Sequence, residues 1–227
     1  MNYEILKNRE KFQEFLEWLP DCKENEQFYI ALFSRKKYCP EVPWIKSDKA
    51  QLKRGTSTKE RLEQKIMQME CAFGSYKHGE NPVPQESLAL YISTNPRDLW
   101  KATIRSIGAL AKVVECYGHN SNPHQEVMSE IQRTAGTRKY ITFDIDEKND
   151  KLLEEVIGIV DGKCDVLETR GGYHVFVHKA LVDDITDKKW YKRITDMPAC
   201  DQAGDTMSPI AGCLQGMFVP HFIYRIK

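Results

Sequence analysis

Asp144 and Asp146 stand two residues apart at the end of the apolar run Tyr140-Ile141-Thr142-Phe143. On a β-strand that spacing sends both carboxylates to one face and Ile145 to the other. At an effective dielectric of about 20, two such charges about 5 Å apart repel by about 3 kcal/mol, so the pair favours a cation between them. All-oxygen ligands select Mg2+ or Mn2+. Asp201 and Asp205 lie downstream, before a turn containing Pro209 and Gly212, and either is a candidate for the third carboxylate that metal-assisted phosphoryl chemistry needs. Between these groups runs Arg170-Gly171-Gly172-Tyr173-His174. The glycines let the backbone pass close to a ligand, and Arg170 and His174 supply donors for a triphosphate.

Periodicity and turn signals define the elements that position these residues. A strand over residues 138–146 precedes a helix over 150–160. Strands over 164–170 and 173–179 then flank the Gly171-Gly172 turn, followed by a helix over 187–197 and a last strand within 205–212. Strand, helix, hairpin, helix, strand is the order of a split βαβ, ferredoxin-like unit. Upstream, Phe12, Phe15, Leu16 and Leu19 mark an amphipathic helix that Pro20 ends, and residues 27–38 read as a strand. Leu62, Ile66, Met69 and Phe73 mark one face of a helix over 58–73. A strand over 87–98 runs into a helix over 99–115, and a helix over 123–133 follows a polar loop at 118–122. The expected fold class is α+β: an N-terminal α/β unit over residues 1–120 and an RRM-like βαββαβ core over 121–227, packed together as one domain.

Thirty-three basic and 33 acidic side chains among 227 residues leave no net charge, so a polyanion must bind to a local patch. Arg35, Lys36, Lys37, Lys53 and Arg54, interleaved with Tyr38 and Trp44, form the best candidate track for a nucleic-acid backbone, with Arg97 beside Asn95 as a second. The same charges also read as a solvated face. No run of about 18 apolar residues is present, so a cytoplasmic protein without a membrane partner is expected. Seven cysteines without a C-x-x-C pair suit free thiols better than a disulfide framework. Cys116, His119 and His124 offer three zinc ligands and no fourth, which reads more simply as a polar loop.

Taken in order, Phe143-Asp144-Ile145-Asp146, Gly172-Tyr173-His174 and Asp201 with Ser208-Pro209-Ile210-Ala211-Gly212 resemble the three motifs of the archaeo-eukaryotic primase superfamily, the primases and primase-polymerases. Those motifs are an hhhDhD strand, a small-x-His turn and an hD segment near a Pro-Gly-Ser-Leu-like stretch. The resemblance covers about the last 90 residues. It implies that Asp144, Asp146 and Asp201 bind Mg2+ or Mn2+, and that His174, Arg170 and Gly172 meet the phosphates of an incoming nucleoside triphosphate. It also implies a single-stranded nucleic-acid template, with a helicase or other replication proteins as partners. Two alternatives remain from the residues themselves: an inactive RRM-like nucleic-acid-binding or regulatory protein, and another palm-type, metal-dependent phosphotransfer enzyme.

Overall fold

A computed structural model describes residues 1–115 and 122–226. The N-terminal half contains α1 (Arg9–Trp18), β1 (Glu26–Ser34), β2 (Ala50–Ser57), α2 (Leu62–Met67), the short pair β3 (Lys77–His78) and β4 (Asn81–Pro82), β5 (Leu88–Ser93), β6 (Arg97–Asp98) and α3 (Leu99–Glu115). The C-terminal half contains α4 (Pro123–Arg133), β7 (Tyr140–Ile145), α5 (Asp150–Ile159), β8 (Cys164–Glu168), β9 (Tyr173–His178), α6 (Trp190–Thr195), β10 (Cys200–Gly204), β11 (Met207–Pro209) and β12 (His221–Tyr224). The class is α+β, and the strand pairs are antiparallel.

One sheet runs β11-β5-β1-β2, with β6 hydrogen-bonded to the start of β1. The other runs β10-β7-β9-β8-β12. Along β7 and β9 the residues alternate between two faces. Phe143, Ile145, Tyr173, Val175 and Val177 pack with Leu153, Val156, Trp190 and Ile194 of α5 and α6. Tyr140 and Phe176 join a larger core with Phe12, Phe15 and Trp18 of α1 and with Phe28, Ile30 and Leu32 of β1. Asp144 and His174 belong to this second set of positions, near its end, where the apolar core stops. On the reverse face of β1, Tyr29 and Ala31 are covered by Met128 of α4.

The halves interlock across residue 120. β11 completes the first sheet beside β5, and Leu214 donates its N–H to Ile5 at 2.8 Å. The Asp205 carboxylate engages Arg97, whose side chain is 3 % exposed, and also accepts from Asn95 at 3.1 Å. This buried pair ties the β10–β11 turn to the first sheet.

Three expectations change. The strand that follows α6 in the second sheet is β10, upstream of the expected 205–212 segment; the chain turns at Gly204 (φ +112°), β11 leaves for the other sheet, and β12 then adds an edge strand beside β8. Residues 50–57, which carry Lys53 and Arg54 of the candidate basic track and for which no strand is expected, form edge strand β2. The helix expected over 58–73 stops at Met67, because the following turn brings the Glu70 carboxylate back to accept from Ile5 and Leu6 N–H at 2.7 and 2.8 Å. Phe73 consequently leaves the buried face and is 48 % exposed. Among the described residues all six cysteines are free, and no helix is long and apolar enough to cross a membrane.

Candidate active site

The antiparallel register of β7 and β9 sets Asp144 directly opposite His174. The two side chains meet, with His174 Nε2 3.2 Å from Asp144 Oδ1. Burial works against the Asp144 charge, but His174, reinforced by Lys37 and Arg35 farther off, more than offsets it and holds the carboxyl below its ordinary range. Asp144 is therefore ionised at neutral pH. His174 is 4 % exposed, and its Nδ1 is buried without a hydrogen-bond partner among the described residues.

Asp144, His174, Asp146, Asp201 and Asp205 line one cavity of about 610 Å³. Gln202 of β10, opposite Asp144 in the register, lines it as well. Across it stand Phe33, Arg35, Lys37, Lys49 and Tyr91 from the first sheet and its loops, with Gln132 and Arg133 of α4 closing a side. Acids therefore dominate the second-sheet wall and cations the first-sheet wall. Asp146 and Asp201 are exposed, and Asp201 sits at the register slip between Cys200 and Gln202, where an edge strand re-aims its side chain. Cys200 is no thiolate nucleophile here: burial, then Asp144 and Asp201, raise its thiol above the ordinary cysteine range.

The glycine turn is demanded by close packing. A Cβ on Gly172 would lie 1.9 Å from the Ile145 carbonyl oxygen, and one on Gly171 would lie 3.1 Å from an Asp146 oxygen. Gly172→Ala should push the hairpin off the end of β7, costing about 1 to 3 kcal/mol as an overpacked site. Urea unfolding of the two proteins checks this.

Several candidate residues lie outside the cavity or are already engaged. Arg170 is absent from the cavity lining. Its guanidinium sits over the Tyr38 ring, 4.3 Å from the centroid, and its backbone N–H donates to Gln215 Oε1 at 2.7 Å. Arg97 lines the cavity, but its side chain is buried and held by Asp205 rather than presented on a surface track. Asp205 is correspondingly occupied, which leaves Asp201 the freer of the two downstream carboxylates. Lys36 Nζ donates to the carbonyls of Pro40 and Val42 at 2.7 and 2.8 Å and closes its own loop. Arg54 donates to Gln125 of α4 at 2.9 Å, and Lys53 is exposed on β2. Of the zinc candidates, Cys116 and His119 lie outside the described residues, and His124 is exposed in the first turn of α4.

A polar network that no motif marks lies on the first-sheet wall. Tyr91 accepts from Gln215 Nε2 at 3.1 Å and from Arg35, and the Arg35 guanidinium lies 5.4 Å from the Tyr91 ring centroid. Tyr91 alternates with buried Leu90 and Ile92 along β5, and this alternation was the available signal.

No three His, Cys, Asp or Glu side chains among the described residues already converge on one metal position. Asp144, Asp146 and Asp201 do bring oxygen donors alone to one cavity, the donor chemistry that hard divalent cations take. No protein-family model, no curated protein and no solved structure matches the chain.

Proposed function

We propose that this chain is a nucleotidyltransferase of primase-polymerase type, which builds a strand or primer from nucleoside triphosphates on a single-stranded template. The observation that carries the reading is the cavity in which Asp144, Asp146, His174 and Asp201 face Arg35, Lys37 and Lys49. A carboxylate wall opposite a cationic wall suits a substrate that is polyanionic and metal-bound at one end. The strand order β10-β7-β9-β8, with α5 and α6 against one face, supports a ferredoxin-like, RRM-like core.

Asp144, Asp146 and Asp201 would hold Mg2+ or Mn2+, which when bound lowers the pKa of an attacking hydroxyl and offsets phosphate charge. His174 orients the Asp144 carboxylate through Nε2 and leaves Nδ1 to meet a phosphate oxygen. Arg35 is held by Tyr91, and Lys37 and Lys49 are exposed, so these three bind the polyphosphate from the opposite wall. Lys53, exposed on edge strand β2, extends the cationic surface toward a template. A helicase or other replication protein would be the working partner.

The test is extension of a labelled primer, and synthesis without one, on single-stranded template with Mn2+ or Mg2+ and either NTPs or dNTPs. Products longer than the primer, or new oligonucleotides, are expected. Template cleavage or cyclic nucleotides would move the chain to another palm-type phosphotransfer chemistry. Template binding indifferent to Mg2+ and to Asp144→Asn, with no product at all, would leave a binding module.

A further inference from the structure

Among the described residues, nothing covers the apolar side chains on the outer face of α3. Trp100 is 67 % exposed, Ile104 56 %, Ile107 66 % and Val114 73 %, with Ala111 exposed between the last two. Ala102 and Ser106, on the opposite side, are buried. The spacing 100, 104, 107, 111, 114 alternates four and three, which is the d-a-d-a-d seam of a coiled coil rather than scattered surface apolarity.

From this seam we infer that α3 pairs antiparallel with α3 of a second copy of the chain. The residues following each d position are Lys101, Gly108 and Glu115, and they flank the seam. Antiparallel helices bring this flank against itself in reverse order. Lys101 then comes opposite Glu115 of the second copy, Glu115 opposite its Lys101, and the two Gly108 residues meet at the centre. A uniformly charged helix would complement only half of that flank, whereas a reversed copy complements all of it. Gly108 has open space where a Cβ would stand, so the helices can approach closely there. Lys101 is 64 % exposed in its ion pair with Asp98 and is free to swing to a partner.

The helix is already held by its own domain, so pairing requires little ordering and the two-heptad length is sufficient. Facing seams bury roughly 1,000 Å² in total, the low end for a specific interface, so the dimer forms on the order of tens of micromolar.

Sedimentation velocity of the full chain from about 1 to 200 μM should show a monomer giving way to a dimer across that range. Ile107→Glu should keep it monomeric throughout with an unchanged circular-dichroism melt, because the side chain is exposed. Lys101→Glu should weaken pairing, and Lys101→Glu with Glu115→Lys should restore it. Gly108→Cys should cross-link under mild oxidation. A chain that stays monomeric at every concentration, or a dimer that Ile107→Glu leaves intact, overturns the inference.

Discussion

Asp146→Asn should cut nucleotide incorporation by at least about a hundredfold while moving stability by less than about 0.5 kcal/mol. The separation follows from where the side chain sits. Asp146 lies one residue beyond the end of β7, is exposed, and lines the cavity that Asp144 and Asp201 share. Asparagine keeps the shape and the single carbonyl oxygen but removes the charge that balances a divalent cation. Nothing in the fold loses a partner. Asp144→Asn would be harder to interpret, because it also removes the negative charge that faces the buried His174. The measurement is single-turnover extension alongside a thermal melt of both proteins. A variant that extends primers at the wild-type rate would remove Asp146 from the chemistry and, with it, the metal role assigned to the pair.

The second half of the chain was legible wherever an element carries its own signal. Residues 150–160 show helical periodicity capped by Asn149, whose side chain accepts from Lys151 and Leu152 N–H. The hairpin is punctuated by two glycines, one of which sits too close to Ile145 to be anything else. The cross-strand meeting of Asp144 with His174 follows from that hairpin and from alternation along β7 and β9. What could not be read was pairing by backbone alone. Residues 200–204 carry no apolar run, yet they form β10 because an edge strand needs only N–H and C=O groups in register.

Charged residues misled for a related reason. Arg97 and Arg170 each look like a hand for an anion, because an arginine is ordinarily solvated. Their partners, Asp205 and the Tyr38 ring, lie more than a hundred residues away in sequence. A local reading has no access to such a contact. Once Arg97 is buried against Asp205, it becomes a fastening between the sheets, and the proposed phosphate-facing role falls to Arg35, Lys37 and Lys49, which line the cavity.

Asp165→Ala should be the most damaging substitution for folding, at a cost of about 3 to 5 kcal/mol. Asp165 lies on β8 with 2 % exposure, on the face turned toward α1. Its carboxylate accepts from Trp18 Nε1 at 2.7 Å and from the Ile226 backbone N–H at 2.9 Å, and it lies 2.5 Å from His178 Nε2. One side chain thus ties together the end of α1, the second sheet and the end of the described chain. Alanine would leave the buried Trp18 donor and the half-buried Ile226 N–H without this acceptor. Burial alone would raise the Asp165 pKa, but the contacts from His178, Trp18 and Ile226 outweigh it and hold the carboxyl below its ordinary range. The folded-state pKa is therefore depressed, so the stabilisation is complete above the unfolded carboxyl value, near pH 4, and disappears as pH falls through the folded value. Urea unfolding across that window should show a steeper acid loss for the native chain than for Asp165→Asn, which keeps an oxygen acceptor and lacks the titration. Equal acid slopes in the two proteins would assign the acid sensitivity to other carboxylates.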